Sequence, residues 1–155
     1  MDFFLCSTPL GQMGLAADGE RGAITRPYLP HDPVPRLMPH ATALLERGRE
    51  QLLDYLAGLR RDFDLPLAPE GTPFQLRVWD QLRQIPWGET CSYAQLARAV
   101  DCPKGYRAVG MANSRNPIPI LIPCHRVIAA DGSLGGYSGG MELKRTLLRL
   151  EGHRF

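Results

Sequence analysis

The chain has 155 residues, enough for one ordinary domain or for a small domain with a compact partner of similar size. Its 44% hydrophobic and 22% charged content is that of a globular protein, and no stretch approaches the ~18 apolar residues that a membrane span needs. The net charge of +2 hides a division: residues 1–76 carry 7 Lys/Arg against 10 Asp/Glu, and residues 77–155 carry 11 against 6, so the second half suits either a polyanionic partner or a solvated basic face.

The N-terminus, with Asp2, lacks the basic and then apolar pattern of a signal peptide, so a cytoplasmic protein without membrane attachment is expected. Residues 2 to 26 read as three short strands, Phe3 to Leu5, Gly11 to Ala17 and Gly22 to Thr25, in a small antiparallel sheet. Asp18-Gly19 is the turn pair expected between the second and third, because both residues tolerate a positive φ. Pro27, Pro30, Pro33 and Pro35 make residues 27 to 35 an irregular connection. Ala41, Leu44, Leu45, Leu52, Leu53, Leu56 and Leu59 then recur at helical spacing, with Pro39 near the first turn, and predict a helix that covers the sheet. Asp64 to Gly71 holds two prolines and a glycine and is the expected boundary between an N-terminal α/β domain, 1-70, and a second domain, 71-155.

Thr72 and Gln75 have capping-box spacing with Pro73 at the first helical position, which predicts a helix from about Pro73 to Arg83. Ser92 and Gln95 repeat that spacing and open a helix to about Val100. Pro103 is expected to start another, through Arg107, Ala108, Gly110 and Met111 to about Asn113. Two short helices joined by a tight turn suit a helix-turn-helix or an ordinary αα-hairpin; Arg107, and residues as small as Ala108, Gly110 and Ala112, favour close approach to a DNA groove. Gly135 to Gly140, glycines around Tyr137 and Ser138, make either a flexible loop or a pocket wall for a flat ligand. The last helix, about Met141 to Leu150, is expected to bury Leu143, Leu147 and Leu150 and to stop at Gly152. Glu151 stands at its C-terminal end, where the macrodipole disfavours an anion, so it is either solvated or held by a cationic or hydrogen-bonding partner.

Reactive chemistry concentrates in Ile118 to Val127. Pro123 removes a backbone donor and fixes φ just before Cys124, so a strand should stop there and present the thiol from a stiff support. Next come His125 and Arg126. A nearby cation, or a His that takes the proton, raises the thiolate fraction, which makes Cys124 a candidate nucleophile; the plainer alternative is a buried Cys at a strand end. Cys6, Cys91 and Cys102 form no C-x-x-C pair and the four histidines do not cluster with them, so free thiols and no metal are expected.

Tyr106-Arg107-Ala108-Val109-Gly110, Asn116-Pro117, Ile122-Pro123-Cys124-His125-Arg126-Val127, Gly136-Tyr137-Ser138-Gly139-Gly140, Leu147-Leu148 and Glu151-Gly152-His153 closely resemble the O6-alkylguanine-DNA alkyltransferases. The resemblance is dense from about Thr72 to His153; before that only Ser7-Thr8-Pro9-Leu10-Gly11 looks familiar. It implies a ribonuclease H-like N-terminal domain and a mainly helical, winged helix-turn-helix-like C-terminal one. It also implies irreversible transfer of an alkyl group from O6 of guanine, and less readily O4 of thymine, in double-stranded DNA, by a monomer without a cofactor. By the matching positions Cys124 is the acceptor, His125 a base acting through a water, and Glu151 the group that orients that His. Asn116 braces the active-site turn, and Tyr93 supplies a hydroxyl to the departing guanine. Arg107 replaces the extruded base in the duplex, with Tyr93, Ser92 and Gly110 also on the DNA face. Pro119, the Val127 backbone, Tyr137 and Ser138 build the pocket.

A stacked base does not offer its O6 alkyl group to an in-line thiolate, so the nucleotide must flip out. Tyr106 and Met111 depart from the small residues common in relatives, which bears on groove fit and not on the chemistry. Two other readings remain: an alkylated-DNA sensor that does not repair, which has no need of a nucleophile, and a Cys-His hydrolase, which would turn over many times.

Overall fold

Residues 1–36, 38–137 and 139–155 are described by the structure, a computed structural model. They fall into two units, Met1–Pro69 and Glu70–Phe155. The first holds a three-stranded antiparallel sheet, β1 (Asp2–Thr8), β2 (Gly11–Asp18) and β3 (Ala23–Tyr28), in the order β1-β2-β3, and helix α1 (Ala43–Leu56). Thr8 pairs with Gly11 across a two-residue turn, and the Thr8 hydroxyl donates to the Gly11 carbonyl at 2.6 Å.

The β2–β3 turn differs from expectation. Asp18 pairs with Ala23, so the loop holds four residues, and the positive φ of 63° falls on Gly22 and not on Asp18 or Gly19. Asp18 instead organises the loop through its side chain, which accepts from the Glu20 N–H at 2.9 Å, while its carbonyl accepts from the Gly22 N–H. Pro27, expected in an irregular segment, lies inside β3; β3 is an edge strand, where a missing N–H leaves no ladder bond unmade.

Helix α1 begins later than Pro39 suggested, because the Thr42 hydroxyl accepts from the Leu45 N–H and caps it. Leu59 lies beyond its end and is exposed. The helix rests on the sheet through Leu45, which clusters with Leu15 and Ala17, and through Gly48, where a Cβ would come within 3.0 Å of Ile24 and Leu15 side chains.

The second unit contains α2 (Pro73–Leu82), β4 (Cys91–Ser92), α3 (Tyr93–Ala99), α4 (Tyr106–Ser114), a 3-10 turn at Cys124–Arg126, β5 (Val127–Ile128) and α5 (Met141–Leu150). Both expected capping boxes are formed, Thr72 with Gln75 and Ser92 with Gln95. Ser92 also ends β4, which pairs in parallel with β5, Cys91 opposite Val127. Helix α4 starts at Tyr106 and not at Pro103; Gly105 occupies the cap position without a side-chain bond. The α2 and α4 helices are joined by Trp79, whose indole N–H donates to the Ala112 carbonyl at 2.8 Å.

Two further expectations are corrected. Residues 118–123 are not a strand: Pro117, Pro119 and Pro123 offer no donors, and the chain folds on itself, with the Leu121 N–H on the Pro119 carbonyl and the Ile122 N–H on the Ile118 carbonyl. Ile120 takes a φ of 73°, a strained value for a β-branched residue, and is held there by its burial. Helix α5 is turned relative to its predicted face: Lys144, Leu147 and Leu148 are fully buried, whereas Leu143 and Leu150 are only half-buried. Among the described residues no helix is long and apolar enough to cross a membrane.

Candidate active site

The folded Pro-rich segment delivers Cys124 into the 3-10 turn, buried at 1% exposure. Asn116 holds the segment from below: its side-chain amide donates to the Ile122 carbonyl at 2.8 Å and its oxygen accepts from the Ile118 N–H at 3.0 Å. Asn113, on α4, donates to the carbonyl of Cys124 itself at 3.4 Å. These bonds fix the backbone on both sides of the sulfur.

His125 is fully buried, and its Nε2 lies 2.9 Å from Glu151 Oε2. Arg126 reaches the same carboxylate with two bonds, Nε to Oε1 at 2.8 Å and Nη2 to Oε2 at 2.9 Å, and spends a third on the Ile85 carbonyl at 2.7 Å. A carboxylate so clamped is an acceptor, which puts the proton on His125 Nε2 and leaves Nδ1 with its lone pair. Among the described residues Nδ1 has no hydrogen-bond partner. Burial lowers the His125 pKa, against the opposing pull of Glu151, so the ring is neutral and able to accept a proton.

The sequence pointed to Arg126 as a cation that would lower the Cys124 pKa. Its guanidinium instead goes to Glu151, and burial wins: the Cys124 thiol is pushed up to about 11, although hydrogen bonding from Asn116, the charge of Lys144 and the Tyr137 side chain all pull it down. At rest the sulfur is therefore a sheltered thiol, and a base is needed to make it a nucleophile.

Lys144 was not singled out by its sequence context. Its ammonium donates to the Val127 carbonyl at 2.6 Å and to the Gly136 carbonyl at 3.1 Å, so it ties the strand after Cys124 to the glycine-rich loop. Burial pulls its pKa down to about 8. A lysine in mid-helix reads as part of a wet face, and only the turn of α5 brings it inward.

A cavity of ≈ 470 Å³ opens between α3, α4 and that loop, lined by Tyr93, Gly110, Asn113, Ser114, Gly136 and Tyr137. Tyr93, at the start of α3, is half-buried, and burial raises the pKa of its hydroxyl. The loop backbone presses close to it: a Cβ at Gly135 would sit 3.0 Å from the Tyr93 oxygen. Gly110 gives α4 a flat side at ordinary contact distance from the Tyr93 ring. Of the residues expected to form a pocket, Tyr137 lines this cavity, Pro119 and Val127 are buried outside its lining, and Ser138 lies outside the described residues. Arg107 and Tyr106 are exposed at the start of α4, and Met111 is exposed one turn further on. Ser92 serves as the α3 cap. Among the described residues no three His, Cys, Asp or Glu side chains are grouped so as to hold a metal ion.

An α/β chain with a small antiparallel sheet, five helices among the described residues, and one buried thiol backed by a His, Glu and Arg cluster beside a cavity belongs to the class of proteins that work through a single sheltered cysteine. Residues 73–153 match the family model "6-O-methylguanine DNA methyltransferase, DNA binding domain". The chain is 45% identical over 152 residues to the constitutive methylated-DNA--protein-cysteine methyltransferase of Bacillus subtilis, covering 93% of this chain and 91% of that one. It is 55% identical over 102 residues to the methylated-DNA--protein-cysteine methyltransferase of Methanosarcina acetivorans, a match spanning 66% of this chain and 65% of the relative's length. The crystal structure of Mycobacterium tuberculosis OGT in complex with DNA superposes with a TM-score of 0.88 at 40% identity, over 97% of this chain and 92% of that one. The chain belongs to the methylated-DNA--protein-cysteine methyltransferase family.

Proposed function

We propose that this protein repairs double-stranded DNA by moving an alkyl group from O6 of guanine, and less readily from O4 of thymine, irreversibly onto Cys124. The observation that carries the reading is the buried His125–Glu151–Arg126 cluster next to a thiol whose pKa burial pushes up to about 11. The alkylated nucleotide flips out of the duplex into the cavity beside Tyr93, with Arg107 taking its place in the stack and Ser92 and Gly110 along the DNA face. Tyr137 lines that cavity, and the proposed pocket extends past the lining to Ser138, Pro119 and the Val127 backbone.

The Cys124 S–H proton passes through a water to His125 Nδ1, and Glu151 stabilises the imidazolium that results. The sulfur then forms a bond to the alkyl carbon as the carbon–O6 bond breaks. The electron pair leaves with the purine, and the Tyr93 hydroxyl helps to neutralise it. Asn116 keeps the turn from shifting as the thiolate forms. The product thioether has no route back, so each molecule acts once and needs no cofactor. In this reading the N-terminal sheet and helix form a ribonuclease H-like domain, residues from about 71 onward form a winged helix-turn-helix domain, and the protein works as a cytoplasmic monomer.

The test is to incubate the protein with a duplex containing O6-methylguanine and weigh its peptides. The Cys124 peptide is expected to gain one methyl group per molecule, and a peptide that stays unmodified sinks the reading. The Cys124→Ser variant is expected to bind the same duplex and transfer nothing.

A further inference from the structure

Helix α4 exposes a large apolar side chain on either side of Arg107. Tyr106 is 53% exposed and Met111 is 56% exposed, while Val109, Ala112 and Asn113 turn the opposite face inward. At about 100° per residue, Arg107, Met111 and Arg115 form one ridge, each a turn beyond the last, and Tyr106, Gly110 and Ser114 form the next. The second ridge borders the cavity, since Gly110 and Ser114 line it. Helix α4 carries no acidic residue, and Arg107 and Arg115 are both exposed. The face therefore suits a polyanion, and yet its largest side chains between the two cations are apolar.

Phosphates take cations and hydrogen-bond donors; a thioether and the face of a tyrosine ring give them nothing. Such surface finds its partners on DNA among the bases, where apolar side chains open a base step and kink the duplex. Arg107 sets the position. One helical turn rises about 5.4 Å and one base step about 3.4 Å, so Met111, a turn beyond Arg107, stands past the base pair next to the lesion, at the step after it. Helical side chains lean toward the helix start, so Tyr106 reaches the other way.

We propose that Tyr106 and Met111 are wedges that open the second base step on each side of the damaged nucleotide, and that they make the rate of repair depend on how easily those steps deform. This rests on the alkyl-transfer reading above, with Arg107 in the place of the flipped base. A sequence preference then arises without any base-specific hydrogen bond, because pyrimidine–purine steps such as TA unstack readily and A-tract steps resist. Chemistry in the cavity acts on the lesion, and mechanics on α4 responds to its surroundings.

Single-turnover methyl transfer by the full chain, measured on two duplexes, tests this. Read from the 5′ end, one carries TAXTA and the other AAXTT, where X is O6-methylguanine. Composition and the base pairs touching the lesion are the same in both, and only the second steps differ. The wild-type protein is expected to react with the TAXTA duplex about 10-fold faster, since flexible and stiff steps differ in stacking by roughly one power of ten in a rate constant. In the Tyr106→Ala, Met111→Ala double variant the ratio falls to about unity. The Tyr106→Phe, Met111→Leu pair, which keeps the apolar bulk, keeps the ratio. Because each ratio is taken within one protein, a general loss of activity does not mimic the effect. Should the double-alanine variant react too slowly to time, energy transfer between dyes at the duplex ends, read in the Cys124→Ser background, carries the same comparison: with Tyr106 and Met111 present the TAXTA duplex bends more than the AAXTT one, and with both replaced by alanine the two bend alike.

A wild-type ratio near one, a double-alanine variant that keeps the wild-type ratio, or a Phe and Leu pair that loses it overturns the wedges while Cys124 still becomes methylated. Absence of methyl on Cys124 from both duplexes overturns the alkyl-transfer reading, and this inference with it.

Discussion

His125 can act as a base because of what holds its other nitrogen. Glu151 fixes the tautomer, and Arg126 satisfies both carboxylate oxygens, so the cluster is closed on every side except Nδ1. Lys144 is the second cation near the sulfur and acts differently, through its charge and through two carbonyls. The folded Cys124 pKa, about 11, lies above the ordinary value of 9.0, so the contribution of its neutral form to stability is complete below about pH 9 and is lost as pH rises through 11. Reactivity runs the opposite way: labelling of Cys124 by iodoacetamide is slow at neutral pH and rises as the thiolate appears. In Lys144→Met the thiol loses the charge that pulls its pKa down, so the rise moves to higher pH and labelling at pH 8 becomes slower. Peptide-resolved labelling across a pH series reads this directly, and an unchanged profile would mean that Lys144 only props up the two carbonyls. The sequence placed Glu151 as an anomaly awaiting a partner. It gave no sign of Lys144, because burial of a lysine is decided by helix rotation and not by local pattern.

At the scale of elements, helix starts were legible where both halves of a capping box stand in the sequence, and not at α1, where Thr42 caps alone. Thr72 with Gln75 and Ser92 with Gln95 fix the first turns of α2 and α3 to the residue. Where the cap is Gly105, without a side-chain bond, Pro103 drew the predicted start of α4 too early. In residues 117–123 apolar content suggested a strand, but three prolines removed the donors that a strand pairs with, and the fold there depends on Asn116 reaching across it. The β2–β3 turn was misread for a related reason: an Asp side chain bonding the backbone replaces the positive φ expected of it.

Helix α2 also shows how tightly a cap is built. A Cβ at Gly71 would lie 2.5 Å from the Trp79 ring and 2.7 Å from the Gln75 side-chain oxygen. Gly71→Ala therefore has to displace either the capping glutamine or the indole that bonds Ala112. The expected cost is about 1–3 kcal/mol, the usual range for overpacking, seen as a lower urea midpoint. A midpoint equal to wild type would show that the cap gives way freely.

For the whole molecule, the proposed function would divide the work: the basic second half and the exposed Arg107 would hold DNA, while burial shelters the Cys124 thiol. The protection has a consequence after the reaction. Cys124 is 1% exposed and bracketed by Asn113, Asn116 and His125 on a strained, proline-rich turn. A methyl group on that sulfur adds volume to a site that has no free surface, and the thioether can no longer donate a hydrogen bond. Overpacking of this size costs about 1–3 kcal/mol, which for a chain of this length lowers the melting temperature by roughly 2–4 °C per kcal/mol. The methylated protein is therefore expected to melt below the unreacted one. Hydrogen exchange should locate the loss in residues 113–127 and the start of α5, where the backbone is held by bonds to Asn113, Asn116 and Lys144. If each molecule acts once, as proposed, a weakened product is tolerable, since nothing further is asked of its site. Equal melting temperatures before and after methylation would show instead that the cavity beside Tyr137 has room for the added group.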